Sequence, residues 1–61
     1  MKDQVFKWLD AHQLTEKEVE DFNYLEDLVY NWEEENYELE EEDLVDLILD
    51  YQVGFRLRSI S

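Results

Sequence analysis

Apolar residues recur every three or four positions along most of this chain, a spacing that predicts helices. Over residues 2–12, Val5, Trp8, Leu9 and His12 share one face, with Phe6 on its flank. After a break at "HQLT", Val19, Phe22, Leu25, Val29 and Trp32 continue the period and predict a second helix over 15–35. Leu44, Leu47, Ile48 and Tyr51 predict a third over 40–53. Three amphipathic helices with short connections imply an all-α fold, a small three-helix bundle over residues 1–53 with those apolar positions as its core.

The punctuation agrees in part. "TEKE" at residues 15–18 is a capping box: Thr15 can accept from the Glu18 amide while Glu18 reaches back to the Thr15 amide. Leu14 and Val19 stand in the hydrophobic-staple positions around it. Between the second and third helices the punctuation is weaker, and Asn36 is the expected left-handed stop, with Tyr37 packing back on the preceding turn. "NYELEEEDL" resembles the aromatic-x-Leu/Phe-cap loop between helices of many small bacterial domains, with Glu40 in place of the usual Ser or Thr. One helix from 15 to 53 is the alternative, and it would need dimerisation to bury its face. Gly54 is the chain's single glycine and stands where the third helix should stop. Residues 54–61, "GFRLRSIS", then alternate and predict a short extended C-terminal tail.

Composition narrows the class. At 61 residues without cysteine, disulfides and thiolate metal sites are excluded, and a cytoplasmic home is expected. A hydrophobic share of 44% with 15% aromatics is too rich for a disordered chain. No run approaches the roughly 18 apolar residues of a membrane span, and charges interrupt "MKDQVFKWLDAHQ" where a signal peptide would carry its apolar core.

Charge changes the picture most. The net charge is -13, and it argues against direct binding of nucleic acid or anionic lipid. Residues 1–14 are balanced, whereas among the sixteen acids of residues 15–53 the only base is Lys17. Typical surfaces mix both signs.

Catalytic and metal chemistry find little material. His12, the only histidine, lacks the Glu three residues earlier that a helical carboxylate site needs. "EEEDLVDLILD" has no glycine turn for a calcium loop. Ser59 and Ser61 have no neighbouring base. The chain is therefore expected to be non-enzymatic, without cofactor or metal. "EEEDLVDLILDYQ" has the outline of a ubiquitin-interacting motif, but it carries Leu47 and Tyr51 where that motif wants alanine and serine.

The acidic run remains. Residues 38–53 carry seven acids, about one per 3.4 Å of helix at roughly 1.5 Å per residue, close to the charge spacing of one DNA strand. In size and charge the chain is similar to the DNA-mimic inhibitors of phages and mobile elements. That likeness implies docking on a cationic, nucleic-acid-binding surface of a partner protein, to inhibit or regulate it. The candidate contacts are Glu33, Glu34, Glu35, Glu42, Asp43, Asp46 and Asp50, with Tyr24 and Tyr30 as anchors. The competing expectation is a structural or regulatory oligomerisation domain, such as a homodimer joined through Val45 and Leu49, whose acids only provide solubility. Arg56 and Arg58 are expected to neutralise acids of the chain or its partner.

Overall fold

In the computed structural model, which describes residues 2–60 (Ser59 and Ile60 by backbone alone), the chain is all-α. Helix α1 spans Lys2–Ala11, α2 Glu16–Glu20, α3 Phe22–Glu35 and α4 Glu41–Ile60, with no strand among the described residues. Val5, Leu9, Val19, Leu25, Val29, Trp32, Leu44, Leu47, Ile48 and Tyr51 form the buried core, drawn from every helix. Trp8 and Phe22, expected inside, are only partly buried and pack against this cluster.

Four helices replace the expected three because the 15–35 segment breaks at Asp21. Both halves of the capping box at Thr15 are present and start α2 as expected. Asp21 then turns extended, with φ -87° and ψ 99°, and its Oδ1 accepts from the Tyr24 amide to cap α3. A short aspartate competing with the helix ladder for a backbone amide is the usual helix-starting device. The apolar period hid it, since Val19, Phe22 and Leu25 keep a spacing of three across the break. The carbonyl of Val19, near the end of α2, accepts from Nε2 of buried Gln52 at 2.9 Å, so α4 satisfies an acceptor that the break sets free.

Between α1 and α2 the left-handed residue is Gln13, with φ 52°. At the end of α3, Asn36 is not left-handed as expected: its φ is -120° and ψ -89°. It closes the helix instead by donating from its backbone amide and from Nδ2 to the Trp32 carbonyl. Tyr37 does pack back, its ring edge-on to Trp32 at 5.2 Å between centroids. Leu39 also packs against the core.

The expected extended tail is corrected too. Helix α4 passes through Gly54, which lacks a positive φ, and continues to Ile60. Ser61, the last residue of that expected tail, and Met1 lie outside the described residues. Gly54 costs the helix about 1 kcal/mol relative to alanine. Packing of Phe55 against the core offsets that cost, and Arg58 adds an ion pair to Asp10 at 3.7 Å. Arg58 also stands in the last turn, where a cation favours the helix dipole.

Polar ties join α1 to α4 at both ends. Lys2 Nζ meets Asp46 at 3.1 Å and also Asp50, while Asp10 accepts the Tyr51 hydroxyl at 2.7 Å. Early residues meet early and late meet late, so α1 runs in the same sense as α4.

A β-carbon at Gly54 meets no other group within 4 Å. Gly54→Ala is therefore expected to stabilise the fold by about 0.5–1 kcal/mol, read from the urea midpoint. A glycine stop followed by an extended tail would give destabilisation instead. Burial and the hydrogen bond to Asp10 raise the Tyr51 phenol to about 12, above its ordinary value of 10.0. A group raised on folding contributes its stability below the unfolded value and loses it through the folded one. Folding stability should accordingly fall between pH 10.0 and about 12 as Tyr51 ionises. Tyr51→Phe should flatten that part of the alkaline unfolding curve.

Candidate functional site

Eighteen acids against five lysines and arginines leave each cation's placement decisive. Lys2 spends its charge on Asp46 and Asp50, whose carboxylates raise its pKa above the ordinary 10.5 through hydrogen bonds and direct attraction. Arg58 serves Asp10. These three contacts are the ion pairs among the described residues, and none involves α2 or α3. The acids of α2, α3 and the first turn of α4 thus enter no ion pair among the described residues, and Lys17 is the one base on α2 and α3.

A cleft interrupts that acidic surface at the join of α3 and α4. Where α3 ends and α4 begins, Tyr30, Glu33, Glu34, Glu38 and Glu41 line an open cleft over Leu39 and Leu44, with a volume of about 670 Å³. Its geometry comes from the loop. Glu33 Oε2 accepts from the Leu39 amide at 2.6 Å, folding residues 36–40 back on the last turns of α3. The other oxygen, Oε1, is buried and has no hydrogen-bond partner. The Leu44 amide donates to the Glu40 carbonyl, beginning α4 with Glu41 and Glu42 at its dipole-positive end.

Tyr30 is 48% exposed, and the charge of Glu26, then burial, then Glu41 and Glu33, push its phenol above the ordinary range. A neutral ring face flanked by carboxylates suits a guanidinium or ammonium, which can stack on the ring and fork to an acid. No group of three or more metal-type ligands among the described residues is arranged to hold a metal ion. Among the described residues no helix is long and apolar enough to cross a membrane.

The expected contact residues divide into several groups. Tyr30, Glu33 and Glu34 meet in the cleft, though Glu33 is partly buried and occupied with the loop. Glu35 lies outside the cleft lining, exposed at the end of α3, and Glu42 and Asp43 are exposed on the first turn of α4. Asp46 and Asp50 are exposed but paired with Lys2. Tyr24 stands apart at the start of α3, its hydroxyl beside Glu18, whose charge raises the phenol. Glu18 itself is held below the usual carboxylate range, chiefly by the Thr15 amide of the capping box. Val45 is partly buried against the core, while Leu49 is 48% exposed. Glu38 and Glu41 were missed by sequence reasoning. Only the loop fold brings them opposite Tyr30, and their spacing held no signal.

Self-repulsion and the exposed ion pairs respond oppositely to salt. Exposed pairs contribute at most about 1 kcal/mol each. Thirteen uncompensated charges on a body of 33 × 21 × 20 Å lie only about one or two screening lengths apart. Repulsion should win, so the thermal midpoint is expected to rise between about 0.01 and 0.5 M sodium chloride; a falling midpoint would mean the pairs dominate. Comparison with protein-family models, curated proteins and solved structures gives no match for this chain.

Proposed function

We propose that this chain is a non-enzymatic acidic binding protein. It lays the surface of α3 and the start of α4 on a cationic, nucleic-acid-binding site of a partner protein, and inhibits or regulates that partner by occupying the place of the nucleic acid. The observation that carries the reading is the cleft of Tyr30, Glu33, Glu34, Glu38 and Glu41, acidic on its walls, apolar on its floor and lacking a basic residue. A partner's arginine or lysine fits that description, and the surrounding acids on α2, α3 and α4 extend the field that steers it. The resemblance in size and charge to DNA-mimic inhibitors supports the same class of partner, met in the cytoplasm. In this reading α2 and α3 act as one element bent at Asp21, so that the bundle has three working helices, two of them acidic.

The test is capture of a partner from lysate on the immobilised protein, with three arms. Duplex DNA should displace the captured protein, salt should weaken it steeply, and Glu34→Lys with Glu38→Lys and Glu41→Lys should reduce retention by about tenfold or more. Glu33 is left in place because it holds the loop, and circular dichroism checks that the variant stays helical. Retention indifferent to DNA, salt and charge reversal overturns the proposal.

A further inference from the structure

The outer face of α4 follows a different logic from the acidic surface. With the C-terminal residues helical, Glu42, Val45, Leu49, Val53 and Arg56 fall on one stripe at spacings of three, four, four and three. At about 100° per residue they stay within roughly 80° of arc, turned away from the core residues Leu44, Leu47, Ile48 and Tyr51. Leu49 and Val53 are 48% and 52% exposed, and Leu57, 64% exposed, flanks them. Glu42, Val45 and Leu49 border a shallow hollow of about 380 Å³ together with Glu41 and Asp46. Arg56 is exposed and makes no ion pair among the described residues. Nor does its own helix offer it an acid three or four residues back, where Val53 and Gln52 stand.

This stripe is palindromic about Leu49 in everything but sign. Val45 and Val53 lie four residues to either side, and Glu42 and Arg56 lie seven. We propose that the outer face of α4 docks on the same face of a second copy of the chain, antiparallel, about a two-fold axis at Leu49. That operation sets Leu49 on the partner copy's Leu49 and Val45 beside its Val53. It also brings Arg56 level with the other copy's Glu42, and the reverse, so both ion pairs form at once. Within one chain Glu42 and Arg56 are about 21 Å apart along the axis, at 1.5 Å per residue, and cannot pair. Self-complementarity of this kind is what an isologous interface requires.

The charge bookkeeping favours a second copy over a basic partner here. The stripe itself carries one acid and one base, and the single charge of Lys2 is shared by the neighbouring Asp46 and Asp50. The acids of α2, α3 and the loop between α3 and α4 repel another copy. A face one helix wide lies at the small end of stable interfaces, so association should be weak, with a dissociation constant between about 1 μM and 1 mM.

Sedimentation equilibrium of the whole chain, from micromolar to about 1 mM at about 0.15 M salt, reads the result directly. A concentration-dependent rise from 7.5 kDa toward twice that mass is expected. Leu49→Asp should abolish it while circular dichroism remains helical. Glu42→Arg or Arg56→Glu alone should weaken association by about tenfold, because each creates two like-charge pairs. The double exchange should restore it, and an equimolar mixture of the two single variants should associate more tightly than either alone. A monomer at every concentration overturns the proposal. So does a dimer that Leu49→Asp leaves intact, or one whose single charge variants are not rescued by the exchange. None of these readouts uses the α3–α4 cleft, so the dimer and the docking function stand or fall separately.

Discussion

Ten buried apolar residues hold together a chain that carries thirteen more negative charges than positive ones. Every other feature is arranged around that opposition. A domain this small sits near the lower limit for folding without a disulfide or metal, so none of its core can be spared. Losing one leucine such as Leu25 or Leu47 costs about 2–5 kcal/mol, much of a small domain's stability. Most of the acids lie outward, and two of the five cations, Lys2 and Arg58, also join elements. Lys2 and Asp10, near opposite ends of α1, tie it to α4 through Asp46, Asp50, Tyr51 and Arg58. Those ties take two of the five bases, and on α2 and α3 only Lys17 stands among the acids.

Where the sequence could be read, a local physical device was visible. The capping box at Thr15 works within four residues, and it formed as the pattern required. The core positions were legible because burial imposes a periodicity that few alternatives share. The break at Asp21 was not, since an aspartate on a helix looks alike whether it caps or merely faces water. The apolar steps of three across it fit either geometry. Its necessity is tertiary: Gln52, thirty-three residues away, takes the carbonyl of Val19.

Gly54 shows the opposite error. A glycine after an amphipathic run usually marks a stop, but its cost of about 1 kcal/mol is small beside the burial that continuing the helix gains. Phe55 and Arg58 lie beyond the glycine and reach the core and Asp10 only if the helix goes on. The tail's alternation of apolar and basic residues read as extended because eight residues are too few to separate the two periods.

The candidate site was half legible for a related reason. Composition reveals that acids are in excess, while only the folded loop reveals which acids face one another. Glu33 looked like one more member of a charged run, yet it anchors the Leu39 amide and so shapes the cleft around Tyr30. On α4 the folded helix separates two kinds of surface that the sequence interleaves. Its first turn puts Glu41 on the rim between the acidic cleft and the outer hollow, whereas Glu42, one residue on and about 100° round the helix, joins the stripe through Leu49 to Arg56. A chain this acidic repels its own copies wherever its charge is unbalanced, and screening confines that repulsion to about 8 Å at physiological salt. In the proposed dimer two copies would approach through the outer face of α4, where Glu42 of one meets Arg56 of the other, and the acids of α2 and α3 would stay open to the proposed cationic partner.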